Sequence, residues 1–298
     1  MHNKIIYAFI FLILSCLFWS GNFLVAKLAF NSSLAPLKLS FFRWVLALVL
    51  ILPFTVNSII NNISLFKKNF YKIVFLSILS VTIFNSFTYI SVQTTLVINA
   101  SLMASITPLL IILFSWLIYK TKTTFFQFLG INLSILGVIC IVLKGNINNF
   151  FTLNFTPGDI WMLFAVISWG LYSVLLKKLD ENLPQIPTLT VLIFIGLIFL
   201  FPFYVFESFS YGFFPNKLSD IIMISYVAIF AGITAYLFWN KGVLIIGANR
   251  AGIFLHLIPL FSSIWAILLL GEVFAMFHLF GIAFITFGIF LANFRVNL

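Results

Sequence analysis

Polar and aromatic side chains recur at helical spacing inside the apolar stretches of this sequence. Ser15, Trp19 and Asn22 stand at i, i+4 and i+7, so they share one face of a helix. The same kind of spacing joins three further pairs: Trp169 with Tyr172, Asn85 with Tyr89, and Tyr236 with Asn240. An aromatic and amide lining without acids suits a small organic molecule with apolar parts better than a bare metal ion. The alternative is that these groups only form hydrogen bonds that hold neighbouring helices together.

Arg43 lies deep inside an apolar stretch. It stands about two turns from the start of its predicted helix, or some 9–10 Å at roughly 1.5 Å per residue. A charge at that depth is costly unless it pairs or faces a water-filled cavity, and no acidic side chain lies at a comparable depth. One interpretation is that the guanidinium binds the anionic group of an amino-acid-like substrate through two parallel hydrogen bonds. The other is that it binds backbone carbonyls freed at a broken helix.

Two prolines stand at corresponding places in the chain, Pro108 in "ASITPLL" and Pro259 in "HLIPLF". We expect both to act as hinges that loosen their helices, with a static kink as the alternative. Asn99 and Ser105 precede the first proline and are candidates for lining a substrate site. His256 precedes the second and is a candidate substrate contact or titratable gate, unless it only forms a hydrogen bond in the packed interior.

Motifs for catalysis, metal binding and nucleotide hydrolysis are missing from the sequence. It contains no Walker loop, no HExxH, no CxxC pair and no nucleophile elbow. We therefore expect neither an enzyme nor an ATP-driven pump, and we predict no catalytic residue, no metal site and no cofactor.

The amino-acid composition shows whether this chain is typical of a water-soluble or of a membrane protein. Of its 298 residues 63% are apolar and 7% are charged, 40 are phenylalanines, and the mean hydropathy is +1.21. A soluble protein carries roughly 25% charged residues, because its surface faces water. The apolar stretches have the length of about 18 to 25 residues that a helix needs to cross a bilayer. The sequence therefore predicts an all-α integral membrane protein.

Polar or turn-rich breaks separate ten predicted spans: about 5–29, 37–56, 70–91, 96–119, 125–143, 158–178, 186–206, 219–240, 248–270 and 276–294. With the N-terminus inside, eleven Lys and Arg residues fall on the cytoplasmic side and four on the other side. Cations concentrate in cytoplasmic loops, so we expect both termini to be cytoplasmic. This bias accounts for the net charge of +10 without nucleic acid as a partner.

The two halves of the sequence repeat each other. Pro108 and Pro259 are 151 positions apart, as are Gly130 and Gly281, and Trp19 aligns with Trp169 at an offset of 150. We predict two inverted five-helix repeats, residues 1–150 and 151–298, because an odd number of spans reverses the second copy. Secondary transporters use this plan, with the substrate site near the midplane between the repeats.

Three stretches resemble signatures of the EamA-like drug/metabolite transporters: "FWSGNFLVAK" at 18–27, "PLKLSFFRW" at 36–44 and "GDIWMLFAVISWGLYSV" at 158–174. The resemblance implies ten transmembrane helices with a central cavity built mainly by helices 1–4 and 6–9. It also implies a permease of the cytoplasmic (inner) membrane, most often for the export of amino acids or related compounds. Nucleotide-derived metabolites, vitamins and drugs are alternative substrates, and a non-transporting sensor or scaffold is a less favoured function.

The expected partners are a small-molecule substrate and the lipid bilayer, with a homodimer as a further possibility.

The predicted topology can be tested with fused reporters. Reporters fused after Lys68, Lys122 and Lys178 should report the cytoplasm, and reporters fused after Asn31 or Asn148 should report the opposite side. The physical reason is the lysine bias between the two sets of loops. Activity of fused alkaline phosphatase and fluorescence of fused GFP would read the two sides. A cytoplasmic result at Asn148 would contradict the inversion of the second half.

Overall fold

The structure is a computed structural model that describes residues 2–32, 34–95, 100, 103–151, 156–270 and 273–294. Every regular element in this part of the chain is helical. Eight helices are long and apolar enough to cross a membrane: α1 (His2–Asn31), α2 (Pro36–Asn61), α3 (Phe70–Thr94), α5 (Phe125–Val142), α6 (Pro157–Lys178), α7 (Gln185–Tyr211), α8 (Leu218–Ile246) and α10 (Met276–Asn293). The prediction of an all-α protein with helices of membrane-spanning length is confirmed.

Two predicted spans, 96–119 and 248–270, are not continuous helices in the described part of the chain. The helix α4 (Thr107–Tyr119) is apolar but only 13 residues long. The segment α9 covers 248–270 in three consecutive pieces: Ala248–Gly252, the 3₁₀ helix Ile253–His256, and Leu257–Leu270. Short helices, Ile63–Lys68 and Asn148–Phe151, follow α2 and α5.

The hinge prolines stand in the first turns of helices. Pro108 is the second residue of α4, and Pro259 is the third residue of the last piece of α9. At Pro108 the proline removes no intrahelical hydrogen bond, because N–H groups of a first turn have no partner within their helix, whereas the helix that contains Pro259 follows directly on the 3₁₀ piece. The irregular backbone lies just before each proline, at the turn residues 105–106 and in the 3₁₀ piece Ile253–His256. A hinge at these places remains a prediction.

Both α3 and α8 contain a π-helical segment near the middle, Ile78–Phe84 and Val227–Thr234 respectively. Such segments are rare in proteins and are frequent at functional sites. They change the directions of the nearby side chains and carbonyl groups, because the backbone hydrogen bonds join residues i and i+5 instead of i and i+4. Ser80 and Gly232 lie in these two segments, and both face the central side chains described below.

Glycines let α5 and α10 pack with their backbones almost in contact. A methyl group on Gly130 would lie 2.6 Å from the backbone nitrogen of Ala292, and one on Gly137 would lie 2.8 Å from the carbonyl oxygen of Gly281. Both distances are shorter than van der Waals contact between such atoms. Small residues at helix interfaces are typical of membrane proteins, where close packing replaces the hydrophobic effect as the driving force.

This packing predicts a specific loss of stability. Gly130→Ala should lower the free energy of unfolding by roughly 1–3 kcal/mol, because two backbones must move apart to admit the methyl group. Gly170→Ala is the matched control, since its new methyl group would meet only the side chains of Leu110 and Phe114, at 3.3–3.4 Å. Thermal denaturation in detergent would compare the two variants. Equal melting temperatures for both variants would contradict the close backbone contact.

Candidate functional site

Arg43 lies at the centre of the helix bundle and is fully buried. Its Nη1 donates hydrogen bonds to Asn85 Oδ1 at 2.7 Å and to the Tyr89 hydroxyl at 2.6 Å. Its Cζ lies 4.6 Å from the ring centroid of Trp44, within the range of a cation–π contact. Helix α2 therefore supplies the charge, and one face of α3 supplies the two side chains that hold it.

The Asn85 side chain links this charge to α8. Its Nδ2 donates to the carbonyl oxygen of Ser80 at 2.7 Å and to the Tyr236 hydroxyl at 2.8 Å. The Tyr236 hydroxyl donates in turn to the Ser80 carbonyl oxygen at 2.8 Å. Ser80 lies in the π segment of α3, so the irregular backbone offers an acceptor for both side chains.

Two tyrosine–asparagine pairs flank this link. The Tyr89 hydroxyl donates to Asn22 Oδ1 at 2.7 Å and joins α3 to α1. The Tyr172 hydroxyl donates to Asn240 Oδ1 at 2.8 Å and joins α6 to α8. The polar and aromatic side chains that helical spacing selected in the sequence thus form hydrogen bonds mainly to one another.

Aromatic rings fill the space between these pairs. The Trp19 and Trp169 ring centroids are 5.0 Å apart and meet edge to face. Trp169 also lies 5.0 Å from Tyr172 and 5.2 Å from Tyr236, while Trp239 lies 5.5 Å from Trp19. We use the name central cluster for eleven buried residues: Trp19, Asn22, Arg43, Trp44, Asn85, Tyr89, Trp169, Tyr172, Tyr236, Trp239 and Asn240.

Four buried nitrogens of the central cluster have no hydrogen-bond partner among the described residues: Nε and Nη2 of Arg43, Nε1 of Trp44 and Nε1 of Trp169. Buried polar groups in proteins nearly always have a partner, so such atoms call for a reason. In the planar guanidinium Nε and Nη2 form one edge with two parallel N–H bonds, the geometry that matches a carboxylate. The arrangement can therefore hold an anion beside Arg43.

Gly232, in the π segment of α8, lies beside this edge. A methyl group at that position would lie 3.7 Å from Arg43 Nε and 3.5 Å from the ring of Trp44. The glycine therefore places no side chain of α8 against the guanidinium edge.

His256 and Ser105 form a second, separate group with Ser134. His256 is fully buried; its Nδ1 lies 2.5 Å from Ser134 Oγ, and its Nε2 lies 3.0 Å from the carbonyl oxygen of Ser105. This carbonyl lies in the turn before Pro108, where the histidine bonds to it across the two halves of the chain. These bonds favour the packing interpretation of His256, and a substrate contact or gate remains a prediction.

A cavity of about 690 Å³ lies at one end of the bundle, between α4, α5, α6 and the α8–α9 junction. Three cationic residues line it, Lys122, Lys177 and Arg250, and no acidic residue does so. The central side chains themselves lie deeper and are packed against one another.

Spacing and depth in the sequence select most of the central cluster but miss Trp44 and Trp239, as well as the neighbouring Gly232. Trp44 directly follows Arg43, which was a usable signal, whereas Gly232 resembles any other glycine in an apolar helix. Asn99, which the sequence also selects, lies outside the described residues. Among the residues that the structure describes, no group of three or more His, Cys, Asp or Glu side chains could hold a metal ion.

Relatives with similar sequences are named as transporters. The uncharacterized transporter YyaM of Bacillus subtilis (strain 168) is 27% identical over 232 residues, which cover 76% of this chain and 74% of YyaM. An uncharacterized transporter of Archaeoglobus fulgidus is 28% identical over 271 residues, 88% of each chain.

The fold is shared with a solved structure described as "Crystal structure of protein". It matches with a TM-score of 0.76 and 15% identity, and the match covers 98% of this chain and 97% of that chain. At this identity the likeness concerns the fold alone.

One family model matches the chain twice, at residues 6–143 and at residues 156–294. The two matches together contain all eleven residues of the central cluster, nearly all of the helices that carry them, and α4 and α9. The chain therefore belongs to the EamA-like transporter family, and it is a multi-pass membrane transporter rather than an enzyme.

Proposed function

We propose that this protein is a secondary transporter of small organic metabolites that carry a carboxylate, such as amino acids or related compounds. The observation that carries this proposal is the buried Arg43, whose Nε and Nη2 have no partner among the described residues. A carboxylate would accept from both nitrogens at once. It would also neutralise a charge that is otherwise costly at this depth in a membrane protein.

The transport cycle that we propose is alternating access between two inverted five-helix repeats, residues 1–150 and 151–298. The double match of the family model supports this division. The spacing of contacting residues supports it as well: Asn85 bonds to Tyr236 and Ser105 to His256, and each pair is 151 positions apart. Corresponding positions meet where a two-fold axis passes between repeats, and substrate sites lie at such places.

Irregular helical segments in both halves support the proposal that helices bend near the central cluster during transport. The π segments of α3 and α8 begin at Ile78 and Val227, 149 positions apart. Irregular backbone also precedes Pro108, at the start of α4, and Pro259, within α9. These segments depart from regular α-helix in both halves, and helices bend most readily at such points. We propose that they absorb the bending of the helices as the central cluster opens toward one side and then the other.

We also propose that the protein lies in the cytoplasmic membrane with both termini inside and that it exports its substrate. The cavity of about 690 Å³ contains Lys122 and Lys177, which the lysine bias assigns to the cytoplasmic side. A basic cavity on that side would collect anionic metabolites from the cell interior, because fields of one sign raise the local concentration of oppositely charged ligands. The predicted homodimer stays a prediction.

Arg43 gives the decisive test of this function. Arg43→Gln should reduce transport of an amino acid at least about tenfold, since it removes a charge-assisted pair of hydrogen bonds worth roughly 1.5–3 kcal/mol each. Arg43→Lys should cause a smaller loss, because an ammonium keeps the charge but not the two parallel bonds. The measurement is uptake into proteoliposomes of a matched pair, an amino acid and its amide. Equal loss for both compounds would mean that Arg43 holds the helices rather than the ligand.

The hydroxyl of Tyr89 gives a second test, because it bridges Arg43 and Asn22. Tyr89→Phe should keep the ring packing but lower transport several-fold, since Arg43 would lose one of the two bonds that fix its orientation. Tyr71→Phe is the control, because Tyr71 is 87% exposed. Proteoliposome uptake and melting temperature should be measured together for both variants. Full activity in Tyr89→Phe would show that this bridge does not position Arg43 for transport.

A further inference from the structure

The unpartnered nitrogens of the central cluster all donate hydrogen bonds. Arg43 Nε and Nη2 are charged N–H donors, and the Nε1 atoms of Trp44 and Trp169 are neutral N–H donors. None of these four nitrogens can accept a hydrogen bond. A ligand that bonds to all of them must therefore offer several acceptor sites, and a second acceptor group beside a carboxylate would let the carboxylate bond to Arg43 while the second group bonds to an indole.

These donors belong to one connected site. The guanidinium carbon of Arg43 lies 4.6 Å from the Trp44 ring centroid. The Trp44 ring lies 5.1 Å from the ring of Tyr236, which lies 5.2 Å from the ring of Trp169. The guanidinium and the two indoles thus belong to one group of contacting side chains.

Each side-chain amide oxygen of the central cluster already accepts one hydrogen bond from a neighbouring side chain. The amide oxygens of Asn22, Asn85 and Asn240 accept from Tyr89, Arg43 and Tyr172 respectively. An ammonium group has three donors and no acceptor, so in this site it would meet further donors. A zwitterionic amino acid would therefore have one end that matches the site and one end that does not.

The carboxylates that the structure describes lie outside the central cluster. Among the described residues, Asp159 bonds to Thr95 and Thr156, and Asp220 accepts from Ser32. Glu207 accepts from the backbone nitrogens of residues 37 and 38. Asp180 pairs with Lys68 in an exposed loop, outside the helices that form the cluster.

The aromatic faces of the central cluster also offer few sites for a cation–π contact with an ammonium group. The Trp169 ring already contacts Phe84 at 4.5 Å and Tyr172 at 5.0 Å, and the Trp44 ring already contacts the guanidinium of Arg43. An ammonium near these rings would also be repelled by the fixed charge of Arg43, which is strong where the dielectric constant is low.

From these donors and acceptors we infer that the site takes small organic acids that carry a second hydrogen-bond acceptor and no ammonium group, the class of α-keto acids. The inference rests on the proposed role of Arg43 and narrows the substrates of the proposed function. The carboxylate accepts from Nε and Nη2 of Arg43, and the keto oxygen accepts from an indole N–H of Trp44 or Trp169. The apolar remainder packs among the rings of the central cluster.

The test is ligand binding to the purified full-length chain, by equilibrium dialysis against radiolabelled compounds at neutral pH. Three pairs share a carbon skeleton and differ at the second carbon: pyruvate with alanine, α-ketoisocaproate with leucine, and phenylpyruvate with phenylalanine. In at least one pair the keto acid should bind about tenfold or more tightly than the amino acid, the upper end of the scale expected for one neutral hydrogen bond. Arg43→Gln should abolish this binding.

Indole variants test the second acceptor. Trp44→Phe and Trp169→Phe each keep a ring but remove the N–H, and at least one should lower the affinity for the tightest keto acid about tenfold. The matched acid without the keto oxygen, such as isocaproate for α-ketoisocaproate, should bind these variants and the unchanged protein equally well. Trp116→Phe is the control, because Trp116 is 51% exposed and should leave all affinities unchanged.

Three results would overturn the inference. The first is equal or tighter binding of the amino acid in every pair, the second is no binding of any keto acid, and the third is unchanged keto-acid affinity in both indole variants. If amino acids bind and Arg43→Gln abolishes their binding, the proposed function stands and only this narrower substrate class fails. If Arg43→Gln leaves the binding of every acid unchanged, the proposed role of Arg43 fails as well.

Discussion

The burial of one positive charge organises the centre of this protein. Arg43 is fully buried in a chain whose surroundings are apolar, and its Nη1 is held by Asn85 and Tyr89. A guanidinium cannot lose its charge by deprotonation, so the protein must supply acceptors or an anion. Those acceptors need fixed positions of their own, and Ser80 and Asn22 provide them. The polar network therefore extends outward from the charge to side chains and backbone of the neighbouring helices.

This network also joins the two halves of the chain. Asn85 of α3 and Tyr236 of α8 share the Ser80 carbonyl, and the Trp19 and Trp169 rings meet between α1 and α6. Groups that satisfy the buried charge are thus the groups that hold the halves together. An anion that accepts from Arg43 would change the balance of these bonds, and for this reason binding and conformational change are expected to be coupled in the transport cycle.

Irregular backbone is tolerated at the centre because side chains satisfy it. The Ser105 carbonyl lies in the break before Pro108, and His256 bonds to it from α9. Thr107 meets the carbonyl oxygen of Ala104 at 2.7 Å in the same way. In an apolar solvent each of these carbonyls would otherwise cost several kcal/mol, of the order expected for any unsatisfied backbone group. Interrupted helices and polar side chains therefore occur together.

The sequence alone determined the class of the protein and most of its central residues. Hydropathy and helix length require membrane-spanning helices, and helical spacing selected pairs such as Asn85 with Tyr89, because polar groups must avoid lipid. Only the tertiary structure decided which partners these groups have. Pro108 and Pro259 both stand next to irregular backbone, and the glycine at Gly232 lies beside the guanidinium edge. Such relations depend on how distant helices pack, and periodicity along one helix carries no information about the helix that it faces.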